Sequence, residues 1–311
     1  MKAVTKIALL AAAAIYWACE TVVFPDLNPA TPVLVVDAWI TNKAESQLIK
    51  LTKTQPYFEN TLPPGVSGAQ VEIEDNEGNL FVFEESDTLA GLYVWTPGSG
   101  EVFGETGRTY TLRITAEGET YTSITRMGRV PPVDSITFRK EPGNQFVTDL
   151  YLAEFWATDP LESGDTYWIK TYKNSTLLNK PSELNLAYDA GFSKGGNFSG
   201  LVFIAPIRTG INPFDQDEKG SILSPYVVGD SLYVEIHSLS EASFDFLNQV
   251  ALQTDRPGGF AELFATPLAN VSTNINNVNP TGMKAVGFFN VAAVSGLGRK
   301  FASLDDVTDP D

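Results

Sequence analysis

The chain has 311 residues, 43% of them hydrophobic, and 38 acidic against 21 basic residues give it a net charge of −17. So acidic a balance argues against nucleic-acid binding, which needs basic patches to neutralise phosphate, and against electrostatic adhesion to anionic lipid. One cysteine excludes a disulfide within the chain, and together with one histidine it leaves no zinc site of the usual Cys/His type.

The first predicted element is a leader over residues 1–18. Lys2 and Lys6 precede an apolar run, residues 7–18, that is too short to span a bilayer. Cys19 follows at once, the arrangement of a bacterial lipoprotein signal in which the cysteine becomes the lipidated first residue. Ala18 fits such a signal, whereas Tyr16 and Trp17 depart from it. Two or more acyl chains on Cys19 would anchor the protein to a membrane. Residues 19–32, with Pro25, Pro29 and Pro32, read as the lipidated tether.

Strand signals begin at residue 33. Residues 33–36 are apolar and rich in β-branched side chains, 39–40 continue the run, and 47–54 and 69–74 alternate. The turn 75–79 leads into 80–83 as a hairpin, and 91–95, 109–114 and 120–124 follow. About seven short strands at this spacing predict an immunoglobulin-like β-sandwich over residues 33–129. Trp39, Tyr93, Trp95 and Tyr110 are its expected aromatic core.

Pro131 and Pro132 mark the expected boundary, because two prolines remove two backbone donors and stiffen the joint. A second β-rich domain is expected over 130–302. Its predicted strands are 135–138, 150–157, 166–172, 200–206, 231–237 and 286–294. Its one helix, near 240–252, is capped by Ser240 and places Phe244, Leu247 and Ala251 on one face. Residues 303–311 read as an acidic tail. The fold class is therefore all-β, two domains with one short helix.

The catalytic inventory is thin. His237 alternates with apolar neighbours, as a structural histidine does, and no Gly-x-Ser-x-Gly elbow or phosphate loop accompanies it. Paired carboxylates for glycoside hydrolysis are possible by composition alone. Asp215 and Asp217 resemble half of a calcium loop, but Lys219 stands where that loop needs an oxygen ligand; a solvated turn is the expectation, with no metal and no cofactor. Tyr57 and Phe58, beside a Pro63-Pro64-Gly65 loop, are the candidate ligand- or partner-binding aromatics.

Several segments occur in a telling order: Cys19-Glu20, residues 33–42, 54–58, 63–69, 107–112, 130–136, 240–247, 267–275 and 286–289. In this order the chain resembles the Bacteroidota outer-membrane lipoprotein family called domain of unknown function 4249. The resemblance implies a lipid-anchored accessory partner of a TonB-dependent transporter, and it transfers no catalytic residues. The expected function is thus non-enzymatic, ligand capture or docking onto a transporter at the outer membrane, on the cell surface. The alternative is a structural or assembly subunit of a larger outer-membrane complex.

Overall fold

The computed structural model describes residues 30–56, 58–143 and 149–308. Residues Pro32–Gln55 and Glu59–Asp311 form one compact unit, treated below. Of the other unit, Met1–Thr31 with Pro56–Phe58, only Ala30, Thr31, Pro56 and Phe58 are described. The leader and Cys19 lie outside the described residues. The fold is all-β with short helices.

Seven strands come first: β1 (Leu34–Thr41), β2 (Gln47–Lys53), β3 (Gln70–Asp75), β4 (Leu80–Glu85), β5 (Leu92–Trp95), β6 (Thr109–Ala116) and β7 (Glu119–Arg126). Alternation decides which side chains they bury. In β1, Leu34, Val36, Ala38 and Ile40 point into the core. The pairings run β1-β2-β5-β4 on one side and β3-β6-β7 on the other, with β4 also bonded to β3. That is the strand order of an immunoglobulin constant-type sandwich. Tyr110, at the start of β6, makes the tyrosine corner of such folds. Its hydroxyl accepts from the Glu105 N–H at 2.6 Å and donates to the Glu105 carbonyl at 3.1 Å. Phe103, fully buried in the loop before β6, packs 4.2 Å from Phe81 and 5.4 Å from Trp95.

The second half opens with β8 (Ser135–Glu141), β9 (Leu150–Trp156), β10 (Thr166–Lys173), β11 (Thr176–Leu177) and β12 (Asn185–Tyr188). Then come α1 (Ala205–Thr209), β13 (Ser231–Leu239) and α2 (Glu241–Thr254), and finally β14 (Asn276–Asn277), β15 (Ala285–Ala292), β16 (Val294–Lys300) and β17 (Val307–Thr308). A three-stranded sheet, β17-β8-β9, and a sheet in the order β11-β10-β13-β16 share a second core. Ile136, Phe138 and Phe155 come from the first; Tyr167, Ile169, Val234 and Ile236 come from the second.

Four features depart from the sequence expectation. The linear division at residue 130 is not followed by the sheets: β14 pairs with β7, and β15 pairs in parallel with β1, so residues 276–292 return to the first sandwich. Trp39 is not in the first core, because Ala38 and Ile40 occupy the inward positions on either side of it. Residues 200–206 are not a strand; Pro206 sits in the first turn of α1, where its missing N–H costs nothing. The strand expected at 286–294 is two strands, β15 and β16.

The helix α2 begins where expected. Ser240 caps it, its hydroxyl accepting from the Ser243 N–H. Buried Asn290 of β15 accepts from the Ser240 N–H and the Ser243 hydroxyl, fixing the helix to the first sandwich. Phe246 of α2, Trp39 of β1, Trp168 of β10 and Phe288 of β15 form one aromatic cluster, with ring centroids 4.5 Å apart for Phe246–Phe288 and 5.6 Å for Trp39–Trp168. The cluster joins the two sandwiches, and Val130 in the linker packs against both cores.

Candidate functional site

The outer face of the β10/β13 pair carries the site. Because β13 alternates, Leu232, Val234 and Ile236 enter the second core while Tyr233, Glu235 and His237 face the other way. The antiparallel register sets Trp168 opposite His237, Lys170 opposite Glu235 and Tyr172 opposite Tyr233. The stripe is buried at His237, beside the aromatic cluster, and open to solvent at Tyr233.

Glu235 is the hub. Its side chain is 2% exposed. It accepts from Lys43 Nζ at 2.8 Å, is hydrogen-bonded to His237 Nε2 at 2.8 Å and receives the Tyr172 hydroxyl at 3.3 Å. Burial works against its charge, but the His237 and Lys43 hydrogen bonds outweigh that and pull its pKa down to about 2. Burial lowers the His237 pKa to about 4 despite the Glu235 carboxylate, so the imidazole is neutral at pH 7 and donates from Nε2. Burial also brings Lys170 down to about 8, against the attraction of Glu235; its ammonium lies 4.1 Å over the Trp168 ring. For Lys43, burial favours the neutral amine, yet Glu235 and Glu45 overcome it and hold the pKa above the usual lysine range.

At the open end is a cleft of about 710 Å³ at the seam of the two sandwiches. Lys43 and Glu45 reach it from the loop after β1; Tyr172, Tyr233 and Glu235 come from the β10/β13 pair; β16 closes one side. Tyr233 lies against β16, whose Gly298 and Gly296 face Tyr233 and Glu235 in the register. A Cβ at Gly296 would fall 2.6 Å from the Tyr233 hydroxyl oxygen, and one at Gly298 would fall 3.2 Å from its ring. The two glycines thus let the ring lie flat on the strand. Tyr233 remains 41% exposed, and its centroid is 6.2 Å from that of Tyr172.

A second cluster lies elsewhere. Carboxylate oxygens of Asp159, Asp165 and Asp189 lie within 4.8 Å of one another. Each already has partners: Asp159 accepts from the Tyr167 hydroxyl at 2.7 Å, Asp165 pairs with Arg129 at 2.8 Å, and Asp189 accepts from the Gly164 N–H at 2.8 Å. Burial, reinforced by the two neighbouring aspartates, raises the Asp159 pKa to about 6 against the Tyr167 and Gly200 hydrogen bonds. These bonds tie the loop before β10 to the turn after β12, a structural task. Among the described residues, this is the acidic set close enough to hold a cation by proximity.

The residues singled out from sequence fall differently. Asp215 is engaged by Lys180, and Asp217 accepts from the Lys219 and Ser221 N–H groups of its own turn, each at 2.8 Å. Phe58 is 44% exposed; Tyr57 lies outside the described residues. His237 is buried and holds Glu235, which sequence reasoning missed together with Lys43, Tyr172 and Tyr233. The Tyr-x-Glu-x-His alternation in β13 is the signal that was available.

An apolar patch follows α2. Leu252, Phe260, Phe264 and Leu268 are 62–80% exposed, and Phe260 meets Phe264 edge to face at 5.6 Å. Among the described residues, no helix is long and apolar enough to cross a membrane. The profile of a family described as "Domain of unknown function (DUF4249)" matches residues 20–296. No curated protein matches the chain.

Proposed function

The chain belongs to the DUF4249 family, and we propose that it is a non-enzymatic outer-membrane lipoprotein that captures a ligand for a TonB-dependent transporter. Cys19 carries the lipid, and the described body presents the binding surface. The open cleft at the seam is the observation that carries this reading. It is concave, of the volume small-molecule sites have, and combines two tyrosines with a few fixed polar groups. Glu235 is unsuited to donate a proton, being ionised and held by Lys43, His237 and Tyr172. Binding rather than acid–base chemistry is what such a carboxylate serves.

Two experiments test the proposal. Cys19→Ser moves the protein from the membrane to the soluble fraction; unchanged membrane association overturns the anchor. Purification of cross-linked native protein in mild detergent, followed by mass spectrometry, recovers an outer-membrane transporter; its absence overturns the partnership. The exposed Leu252–Phe260–Phe264–Leu268 patch favours a second reading, an assembly subunit of an outer-membrane complex, since apolar patches mark protein interfaces.

A further inference from the structure

We propose that the seam cleft binds a neutral saccharide, with one sugar ring stacked on the exposed face of Tyr233 and its hydroxyls hydrogen-bonded to Lys43, Glu45 and the rim serines. The proposal rests on the ligand-capture reading and names the ligand class.

Charge decides against the other classes. The Lys43 ammonium is taken up by Glu235 at 2.8 Å and Glu45 at 3.3 Å. Arg299 contributes to the cleft wall, but its guanidinium is turned to the Ile136 carbonyl, to the Phe138 ring at 5.5 Å and to Asp306 at 3.6 Å. Lys300 is left as the one cleft cation without a partner among the described residues. A carboxylate or phosphate ligand needs a paired or forked cation to replace its hydration, and the cleft offers none, on a chain of net charge −17. An apolar ligand would strip water from the exposed Lys43–Glu45 pair and from the Ser175 hydroxyl of the lining.

A pyranose has the complementary build: one face of C–H groups and a rim of hydroxyls that both donate and accept. The tyrosine ring offers a negative face to the C–H groups. That face is free because Gly296 and Gly298 seat the other side of the ring on backbone. Glu45 supplies an acceptor and Lys43 a donor on a single ion pair at 3.3 Å, so adjacent hydroxyls of one ring can address both. Glu235, itself held by His237 and Tyr172, fixes the Lys43 ammonium before the ligand arrives, which limits the ordering cost.

The test uses the described body in full-length protein lacking only lipidation (Cys19→Ser). Maltohexaose, cellohexaose, xylohexaose, mannohexaose and N-acetylchitohexaose are screened by saturation-transfer NMR, with hexagalacturonate and an uncharged hexapeptide alongside, and hits are titrated by calorimetry. At least one neutral oligosaccharide binds; Tyr233→Ala weakens it by about tenfold or more, as truncating an aromatic anchor does, and Tyr233→Phe keeps it within about threefold, since the ring remains. Circular dichroism verifies that both variants are folded. Binding that Tyr233→Ala leaves unchanged overturns the proposal, and so does failure of every neutral oligosaccharide. If only hexagalacturonate or the peptide binds, and Tyr233→Ala abolishes it, the saccharide class falls while ligand capture stands. If no probe binds, the saccharide proposal falls, and ligand capture is judged by whether the cross-linked transporter is recovered.

Discussion

His237 and Asp159 set opposite pH dependences. The folded pKa of His237, about 4, lies below its ordinary 6.5. Its contribution to stability is therefore complete above pH 6.5 and is lost as pH falls toward 4. Between those limits the wild type loses up to about 3 kcal/mol relative to His237→Gln, a difference that urea unfolding at stepped pH measures. Asp159 runs the other way. Its folded pKa, about 6, lies above the ordinary 3.8, so its contribution is complete below pH 3.8 and is lost as pH rises through 6. Asp159→Asn removes that falling arm, and the same unfolding series detects its disappearance. Single residues of this kind were only half legible in the sequence. His237 was visible as the one histidine, but Lys43, which shares Glu235 with it, lies 192 residues from that carboxylate, and no local pattern announces a pairing of that range.

Elements were read best where side-chain alternation was strong. β1, β2, β3, β6 and the capped start of α2 follow from period-two burial and from the Ser240 cap. β16 was hidden by its own glycines, which strands usually avoid; those same glycines seat Tyr233, so the feature that concealed the strand also makes the site. Gly287 of β15 shows the other use of glycine. It has φ +99°, and a Cβ there would lie 2.0 Å from the Val36 carbonyl oxygen of β1. Gly287→Ala should break the β1–β15 pairing and cost roughly 3 kcal/mol or more, because backbone strain and a backbone clash add. Thermal unfolding of the variant verifies this, and a shift near zero would show that β15 tolerates another path. Tyr110→Phe, which leaves the Glu105 N–H and carbonyl without the hydroxyl, costs about 1–3 kcal/mol in the same assay.

At the scale of the molecule, the chain's return fixes the result. β14 and β15 leave the second half to complete the first sheet, β16 goes back to the second, and α2 with its aromatic cluster spans the joint. The first sandwich is not complete without strands from the second stretch of sequence. Calorimetry should therefore show one cooperative transition rather than two, and Trp39→Ala should lower it by roughly 3 kcal/mol of stability without splitting it. Two separated transitions would show that the sandwiches fold independently. Hydrophobic patterning conveyed the all-β class, but a parallel pairing between residues near 37 and near 288 has no local signature. The cleft was illegible for the same reason, since it exists only where the loop after β1 meets the β10/β13 pair. The most direct measurement of the central claim is a crystal structure with the tightest-binding oligosaccharide. A sugar ring stacked on Tyr233, with hydroxyls on Lys43 and Glu45, is the expected result; sugar bound elsewhere, with the Tyr233 face bare, would contradict it.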